Sequence, residues 1–379
     1  MHLIVYIIGM LIICVLPDAL LFWKAIKTDN KPLLITQIVS CSFFVLAIVG
    51  LLIAMTYTTS MIPVLCLGML FFGIYIPKWL YLPFGMANHH HTGMLVGAIG
   101  LVILLYGLCI GRTEIETRSI VISSPSIPKS FNGYRILQLS DAHLGSLIKH
   151  EYWLKQLPQH INSLKPNLVV FTGDLVNSYA EETQGWESIF KSIIAPDGKW
   201  ACKGNHDYSH YHWRSDMDST ANAIAVNQAY KRLGWTLLND SSTILTQGQD
   251  TLYLCGVENI SRPPFISYGS VSKAMQNIPD SIPVIMLSHD PMTWEDSIRQ
   301  HKNVFLTLSG HTHAMQMGID LWGMHLSPAS LMHPYWDGTY QHEYHKQYLH
   351  VNRGLGYVGF PFRIGMKPEI TLIELYSSK

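Results

Sequence analysis

Residues 136–143 read Ile-Leu-Gln-Leu-Ser-Asp-Ala-His, a strand-length apolar run that ends at a carboxylate and an imidazole. Apolar runs of this length, ended by Ser, Gly or Asp, are typical of buried strands. Because side chains of an extended chain alternate with a period of two, Asp141 and His143 point to the same side. The segment therefore predicts a central strand with two ligand-type side chains at its carboxyl end.

Four later segments repeat this pattern of an apolar run followed at once by Asp, Asn or His. Ligands of α/β sheets bind at the carboxyl ends of the strands, so we expect these side chains to converge on one point. Gly173, Gly204 and Gly310 allow the backbone to turn sharply beside a ligand. The four segments are Leu168–Asp174, Trp200–Asp207, Ile285–Asp290 and Leu306–His313.

Strand-like and helix-like segments alternate after residue 133, which predicts a layered α/β fold. We expect an edge strand at Ser119–Ile122 and a final strand at Glu369–Leu375. The other candidate strands are Arg135–Leu139, Asn167–Phe171, Lys199–Cys202, Leu252–Gly256, Pro283–Leu287 and Val304–Leu308. The candidate helices are His150–Leu164, Thr183–Ile193, Asn222–Leu233 and Pro291–His301.

The side chains that follow the strands are the ligand set of a two-metal site, in which two cations lie about 3.5–4 Å apart. A mixture of imidazole and carboxylate suits Mn, Fe and Zn, and it excludes a calcium cage built from oxygen alone. One carboxylate has to bridge, because cations this close repel each other strongly without an anion between them.

The order D-x-H, G-D, G-N-H-D, H, G-H-T-H resembles the calcineurin-like metallophosphoesterases over residues 133–376. The tail Val351-Asn-Arg-Gly-Leu-Gly, with Pro361-Phe-Arg-Ile-Gly and Pro368-Glu-Ile-Thr-Leu, looks like the bacterial membrane-associated phosphodiesterase branch. The resemblance implies a four-layer α/β/β/α sandwich with the metals at one edge of the sheets. Two positions depart from that branch: Ala314-Met315 replaces a Gly-Gly pair, and Asn177 replaces a second Asp.

The resemblance also implies a role for each matching residue. Asp174 would bridge two divalent cations, with Mn expected and Fe, Zn or Mg as alternatives. The other metal ligands implied are Asp141, His143 and His313 for one ion, and Asn205, His289 and His311 for the second. A hydroxide held between the cations would attack phosphorus in line, and His206 would stabilise or protonate the leaving oxygen. Asn205 and Asp207 complete the catalytic set, with Asp207 either orienting His206 or capping the next loop.

Candidates for substrate binding lie outside these motifs. Arg353 and Arg363 suit a phosphate, since guanidinium forms paired hydrogen bonds, but each would equally serve a structural carboxylate. His210 and His212 either contact substrate or lie in a solvated loop. The segment 321–345 is rich in Trp, Met, Tyr and His, which suits an exposed loop near the site or a bilayer surface, or a loop packed beneath the sheet.

The first third of the chain is the part that predicts a membrane region. Charged residues make up 14% of the 379-residue chain, against about a quarter in soluble domains. Four apolar stretches, 3–23, 33–56, 61–83 and 93–111, are long enough to cross a bilayer core, which needs roughly 20 apolar residues. A signal peptide is excluded because a basic N-terminal region is missing and further spans follow. We expect a transmembrane region at 1–111, a connection at 112–132 and a catalytic domain at 133–379.

Two minor features of the sequence leave alternatives open. His89-His90-His91, between the third and fourth stretches, would bind a metal or lipid head groups, or form a plain polar loop. Cys202 and Cys255, both in strand-like runs, would be buried thiols or a disulfide pair. No C-x-x-C pair indicates a zinc knuckle or redox site.

These observations favour a membrane-anchored phosphoesterase acting on a phosphodiester, pyrophosphate or phosphomonoester, with a lipid-linked substrate preferred. The alternatives are a scaffold or a sensor that keeps the fold. Equal numbers of acidic and basic residues, 26 each, give no reason to expect nucleic acid. A transport pathway is disfavoured because Asp18 is the main ionisable residue inside the spans.

Sidedness follows from the positive-inside rule. Lys24, Lys27 and Lys31 follow the first stretch, which puts that loop in the cytoplasm of a multi-pass protein of the cell membrane and the catalytic domain outside. Arg112 and Arg118 act in the opposite direction. Protease added to intact spheroplasts should therefore clip the catalytic domain. Digestion only after the membrane is broken would place that domain in the cytoplasm.

Overall fold

The computed structural model describes residues 2–58, 60–147, 152–211, 218–263, 266–321, 324–342 and 346–378. Two compact units make up the chain. The first comprises Met1–Ile110 with Gly359–Phe362, and the second comprises Gly111–Val358 with Arg363–Lys379. We call them the helical unit and the sandwich unit.

Four helices form the helical unit: α1 His2–Lys27, α2 Lys31–Met55, α3 Ile62–Met86 and α4 His90–Tyr106. A π-helical turn at Gly107–Gly111 continues α4. Asn30 starts α2 by accepting a hydrogen bond from the Leu33 N–H at 3.1 Å, which satisfies one of the free donors of the first turn.

The number of membrane spans differs from the prediction of four. Among the residues whose side chains the structure describes, three helices are long and apolar enough to cross a membrane: Lys31–Met55, Ile62–Met86 and His90–Gly111. Asp18 of α1 pairs its carboxylate with Lys78 of α3 at 2.6 Å.

Small residues allow α3 and α4 to pack closely. Gly97 of α4 faces the carbonyl of Pro77, where a Cβ would come within 3.2 Å of the oxygen. Gly93 and Gly100 likewise face the side chains of Tyr81 and Leu80. Packing of this kind is the usual way in which helices associate where lipid removes the hydrophobic driving force.

Two six-stranded mixed sheets form the sandwich unit. The first sheet has the order β1-β14-β2-β3-β4-β5 and the second β12-β13-β9-β8-β7-β6. Strands of the first sheet are β1 Glu116–Ser124, β2 Tyr134–Leu139, β3 Leu168–Thr172, β4 Lys199–Cys202, β5 Thr236–Leu237 and β14 Glu369–Ser377. Those of the second are β6 Ser241–Gln247, β7 Asp250–Gly256, β8 Val284–Leu287, β9 Val304–Ser309, β12 Gly338–Gln341 and β13 Tyr348–Val351. A separate hairpin pairs β10 Ile319–Leu321 with β11 Met324–Leu326.

The sheets pack face to face with helices on their outer faces. Buried side chains from both sheets, including Ile136, Leu254 and Leu306, form one core between them. A second core joins the outer face of the second sheet to Trp294 and other helix residues. The remaining helices are α5 Tyr152–Ser163, α6 Glu187–Lys191, α7 Ser219–Arg232, α8 Val271–Ala274 and α9 Met292–Asp296.

The α/β class with two sheets is confirmed, and the predicted strands lie within a few residues of the observed ones. The expected helices at 183–193 and 291–301 are shorter than predicted: α6 and α9 have five residues each, and 3₁₀ turns lie beside them at Ala180–Thr183 and Ile298–Gln300. The expected start of α5 at His150 lies outside the described residues. Strands β5, β6, β10, β11, β12 and β13 were not predicted, because they are short or rich in polar residues and lack a strand-length apolar run. Cys202 and Cys255 are buried free thiols, not a disulfide.

Candidate metal centre

The candidate ligands follow directly from five parallel strands. Parallel pairing aligns β2, β3 and β4 in the first sheet and β8 and β9 in the second, so their carboxyl ends lie at one edge. A hydrogen bond between Gln138 Nε2 and the Ser309 carbonyl, 2.8 Å long, joins the two sheets at that edge. The topology therefore brings side chains distant in sequence to one place.

The first cluster consists of Asp141, His143 and His313, all buried. His313 Nε2 lies 3.1 Å from His143 Nε2 and 3.3 Å from Asp141 Oδ1. The carboxylate of Asp141 is oriented by the hydroxyl of Ser140 and accepts the His311 backbone N–H at 3.1 Å. Three ligand-type atoms thus face a common point.

The second cluster consists of Asp174, His289 and His311, with Asn205 beside them. Asn205 Oδ1 lies 3.1 Å from His289 Nε2 and 3.0 Å from His311 Nδ1. His289 Nδ1 contacts the Thr172 carbonyl at 2.7 Å, which leaves Nε2 directed into the cluster. A ring nitrogen anchored in this way is the usual arrangement behind a metal-binding histidine.

One carboxylate oxygen faces both clusters. Asp174 Oδ2 is 3.1 Å from His289 Nε2 and 3.6 Å from His143 Nε2. The other oxygen, Oδ1, accepts the His206 backbone N–H at 2.9 Å. Asp174 is therefore the side chain positioned between the two groups.

The close contacts between ring nitrogens in each cluster suit side chains that share a divalent cation. Ring nitrogens of His143 and His313 approach to 3.1 Å, and those of His289 and His311 to 3.2 Å. Without a cation, burial lowers the pKa of His143 to about 3 and that of His311 to about 4, so both rings are neutral as metal ligands must be. The seven donor residues, Asp174 included, match the mixed oxygen and nitrogen set that Mn, Fe and Zn accept.

The pKa values of the Asp141 and Asp174 carboxylates are shifted in opposite directions. Burial raises the pKa of Asp141 in the absence of a cation. Burial alone would also raise the pKa of Asp174, but the charges of His289 and His206 hold it well below its usual range. Burial would lower the pKa of His289, yet the Asp174 carboxylate raises it to about 10. A bound cation would take the place of that proton.

Backbone strain is concentrated at the same residues. Non-glycine residues with positive φ are a few per cent of all residues. Here the positive values are 50° at Asp141, 43° at His143, 57° at Asp174, 77° at His311 and 50° at His313. Each such conformation costs on the order of 1–3 kcal/mol and persists only where the surroundings enforce it.

Two glycines make room for the ligands. A Cβ at Gly204 would overlap the Asp174 carboxylate, and one at Gly310 would overlap Asp141 and Ser140. Ala314 and Met315, where the resembling branch has glycines, adopt φ values of 49° and 47°. The left-handed turn is therefore kept, and Gln316 stabilises it by accepting the Val358 N–H at 2.6 Å.

His206 lies at the open side of the centre and is half-buried. Its Nδ1 contacts the Asn177 carbonyl at 2.7 Å, and its ring stacks on Tyr211 with centroids 4.3 Å apart. Asn177 acts here through its backbone, which explains why the Asp-to-Asn departure leaves this contact intact. Tyr211 also accepts a hydrogen bond from Asn205 Nδ2 at 3.0 Å.

Asp207 holds the loops and makes no described contact with the His206 ring. Its buried carboxylate accepts the N–H groups of Asp174 at 3.0 Å and Gly204 at 2.9 Å, and the hydroxyl of Tyr230 at 2.8 Å. The sequence left two roles open for Asp207, which were orienting His206 and capping the next loop, and these contacts match the capping of loops. Asp207 is therefore a positioning residue and not a catalytic one.

Glu182 is a second loop-holding carboxylate that sequence reasoning missed. It is buried and accepts N–H groups from Gly145 at 3.1 Å, Asn177 at 2.7 Å and Ser178 at 2.9 Å. These bonds tie the loop after β2 to the loop after β3. No pattern around Glu182 distinguishes it from an exposed helix residue, so the sequence carried no usable signal.

Neither arginine predicted to bind substrate is available to it. Arg353, 1% exposed, pairs with Asp337 at 2.7 Å and Asp320 at 2.6 Å. Arg363, 0% exposed, donates to the carbonyls of Gly356 at 2.6 Å and Arg353 at 2.9 Å. Their donors are used inside the protein, which corrects both predictions in favour of the structural alternative.

His210 borders a cavity beside the centre. The cavity has a volume of about 210 Å³ and is lined by Asn205, His210, Tyr211 and Tyr268, among others. The His210 ring stacks on Tyr268 with centroids 5.7 Å apart and contacts its hydroxyl. His210 thus remains a candidate for substrate contact, whereas His212 lies outside the described residues. Tyr268 had no sequence signal, since it comes from a loop far along the chain.

Comparison with known proteins agrees with the geometry. The family model for calcineurin-like phosphoesterase matches residues 134–315. A metallophosphoesterase of Bacillus subtilis, YkuE, is 34% identical over 270 residues, covering 70% of this chain and 86% of the relative. The chain belongs to the calcineurin-like metallophosphoesterases, a family of metal-dependent hydrolases.

Other relatives carry informative names. A transmembrane protein with metallophosphoesterase domain from Danio rerio is 29% identical, over 73% of this chain and 61% of that protein. The UDP-2,3-diacylglucosamine pyrophosphatase LpxG of Chlamydia muridarum is 28% identical, over 65% of this chain and 86% of the relative. This chain therefore spans about three fifths of the Danio rerio relative. Together with the three apolar helices, the transmembrane relative marks this chain as a multi-pass membrane protein.

Replacing Asp174 tests the shared carboxylate. Asp174→Ala should lower metal content from two ions per chain to one or none, because the remaining ligands cannot neutralise two adjacent cations. Elemental analysis of the purified full-length protein measures this directly. The matched control is Asp280→Ala, which removes an exposed carboxylate from a turn and should leave metal content unchanged. Two ions per chain in Asp174→Ala would show that another group bridges.

Proposed function

We propose that this protein hydrolyses a phosphoester or phosphoanhydride bond of a membrane lipid. The observation that carries the proposal is the position of Asp174 Oδ2, within 3.1 Å and 3.6 Å of imidazoles from two separate ligand clusters. A carboxylate shared in this way is what a binuclear centre requires. Histidines that cluster only for structural reasons do not require a carboxylate shared between two groups.

The ions in this proposal are two divalent cations, with Mn favoured. One ion would be held by Asp141, His143 and His313. The other would be held by Asn205, His289 and His311, and the Asp174 carboxylate would bridge the two ions. When bound, such ions supply Lewis acidity toward the phosphate oxygens and a nucleophile from water at neutral pH. The protein contributes a buried donor set that is already in position, because the backbone at five of these residues is held at positive φ.

His206 is the proposed acid for the leaving oxygen. Its Nδ1 is engaged by the Asn177 carbonyl, so Nε2 is the ring atom available to substrate. Stacking on Tyr211 fixes the plane of the ring. A protonated imidazole held in this way donates its proton as the bond to the leaving oxygen breaks, which contributes typically about 10²–10⁴ in rate.

A lipid-linked substrate is supported by an apolar patch next to the centre. The patch consists of exposed side chains from β10, β11 and the loop after them: Ile319, Met324, Leu326, Leu331 and Met332. Leu331 is 89% exposed and Met332 54%. The next residue, His333, packs its ring edge-on to the ligand His311 with centroids 5.9 Å apart. Exposed apolar patches of this kind mark binding surfaces for apolar ligands or membranes.

The relatives add chemical detail to this proposal. The name of the Chlamydia muridarum relative describes cleavage of a pyrophosphate that joins a nucleotide to a diacylated sugar. A substrate of that class would place its phosphates at the centre and its acyl chains on the patch. We therefore use UDP-2,3-diacylglucosamine in mixed micelles as the lipid probe and a chromogenic phosphodiester as the soluble probe.

His206→Gln tests the proposed acid. Metal content should stay near normal, whereas kcat should fall by about 10²–10⁴ for poor leaving groups and less for good ones. The measurement compares a series of aryl phosphodiesters whose leaving groups differ in pKa. An equal loss of kcat for good and poor leaving groups would exclude the acid role and show that His206 only binds the phosphate.

Leu331→Asp tests the apolar patch. Activity on the micellar lipid probe should fall at least tenfold in kcat/KM, because a charge interrupts the surface that receives acyl chains, while activity on the soluble diester is unchanged. The control Ile194→Asp introduces the same charge at another exposed apolar position. Unchanged activity of Leu331→Asp on the lipid would contradict the assignment of this patch.

A further inference from the structure

The cavity beside the candidate metal centre is small and shares a residue with it. Its volume is about 210 Å³, below the roughly 300–1,000 Å³ of sites that enclose a whole small ligand. A space of this size suits one ring of a larger substrate. Asn205 lines the cavity, and its Oδ1 lies 3.0 Å from Nδ1 of the candidate ligand His311. A ring bound there would therefore lie next to a phosphate held at the centre.

The Tyr211 ring lines this cavity and is supported from behind. It stacks on the His206 ring with centroids 4.3 Å apart and planes at 25°. Its hydroxyl accepts a hydrogen bond from Asn205 Nδ2 at 3.0 Å. Tyr211 is still 42% exposed, so ring surface remains open to a ligand. A side chain already held at its ring and at its hydroxyl loses little further freedom on binding.

The Tyr268 ring also lines the cavity and has a second ring behind it. The rings of Tyr208 and Tyr268 are stacked with centroids 3.9 Å apart and planes at 2°. Tyr208 is itself held, because the Lys203 ammonium lies 4.2 Å from its ring centroid and its hydroxyl accepts the Asn259 N–H at 3.1 Å. Tyr208 covers one face of Tyr268, which leaves the opposite face for the cavity.

The loop that carries Tyr268 is closed at its base. The Asn259 carbonyl accepts the backbone N–H groups of Tyr268 at 2.9 Å and Gly269 at 3.3 Å. Gly269 permits this close approach, because a Cβ there would overlap the Glu258 carbonyl oxygen. Ile266, from the same loop, adds an exposed apolar side chain to the lining. The flat surface of Tyr268 is thus fixed by the backbone as well as by stacking.

One hydroxyl group is available at the edge of the cavity. Asn259 Nδ2 donates to Ser261 Oγ at 2.7 Å, and both residues line the cavity. Since Ser261 Oγ accepts this hydrogen bond, its own proton points elsewhere. No acceptor for that proton is present among the described residues. A hydroxyl donor in this position suits a carbonyl oxygen on the rim of a bound ring.

These features favour a planar heteroaromatic ring over a sugar or an aliphatic chain. A sugar carries several hydroxyls, and each of them needs a partner when it leaves water. An aliphatic chain would leave the Ser261 hydroxyl unpaired and would gain nothing from flat rings. A nucleobase has two flat faces and carbonyl oxygens at its rim, and stacking on aromatic side chains is the usual way in which proteins hold an unpaired base.

We propose that this cavity binds a nucleobase in the head group of the substrate. The base contacts the rings of Tyr211 and Tyr268, and a carbonyl oxygen at its rim accepts a hydrogen bond from Ser261. This inference rests on the proposed function, which supplies the phosphate that joins the base to the lipid. The substrate class is then a nucleotide-linked lipid.

Calorimetric titration of Mn-loaded, full-length protein in detergent tests this site. The probes are uridine monophosphate, ribose 5-phosphate, which lacks the base, and glucosamine 1-phosphate, which carries a hexose ring. Wild-type protein should bind uridine monophosphate about tenfold more tightly than either sugar phosphate, because stacking is lost without the base. Equal affinity for uridine monophosphate and ribose 5-phosphate would overturn the proposal. Tightest binding of glucosamine 1-phosphate would assign the cavity to a sugar and overturn it as well.

Tyr268→Leu keeps an apolar side chain but removes the flat ring. It should reduce the preference for uridine monophosphate to within about threefold, whereas Tyr268→Phe should keep the preference. The control Tyr376→Leu removes a tyrosine of similar exposure, 39%, from β14 and should bind as wild type does. Ser261→Ala should weaken uridine monophosphate about threefold, as expected for one hydrogen bond. An undiminished preference in Tyr268→Leu would overturn the location.

Binding of ribose 5-phosphate separates these effects from misfolding and from loss of the metals. All four variants should bind it as wild type does, because the phosphate contacts the centre and not the tyrosines. The titration also requires no hydrolysis. A tenfold preference for uridine monophosphate in a protein that fails to cleave the lipid probe would support the base site and contradict the proposed function. Cleavage of the lipid probe without that preference would overturn the base site and leave the proposed function in place.

Discussion

The carboxylate of Asp174 is the constraint on which the centre depends. One of its oxygens faces imidazoles from both ligand clusters, and the other accepts the backbone N–H of His206. Two cations at close range need an anion between them, so the loop after β3 has to hold this carboxylate in one orientation. Asp207 provides that hold, because it accepts the N–H groups of Asp174 and Gly204 from beneath.

The strained backbone at the ligands has the same origin. Left-handed conformations at Asp141, His143 and Asp174 are costly one by one, yet they direct side chains from neighbouring strand ends toward one point. Glu182 compensates by tying the loops after β2 and β3 together. The strained backbone lowers the stability of the fold but fixes the donors in place, and Asp207 and Glu182 support the candidate ligands by holding their loops.

The sequence predicted those parts of the molecule whose signals are local. Each candidate ligand follows directly from an apolar run, so the strand and the position of the candidate ligand were predicted together at Asp141, Asp174 and His289. Arg353 and Arg363 were misjudged because their partners come from distant segments, and a lone arginine looks the same whether it is buried or free. Tyr268 contributes to the cavity only through tertiary folding.

The proposed hydrolysis draws on three features of the sandwich unit: the candidate metal centre, His206 and the apolar patch around Leu331.

The central claim is that a single carboxylate joins two metal ions. Electron paramagnetic resonance of the Mn-loaded full-length protein, with metal content determined on the same sample, tests it most directly. Two Mn²⁺ ions per chain with an exchange-coupled spectrum are predicted. One ion per chain, or two ions that give only the spectrum of isolated Mn²⁺, would contradict the account.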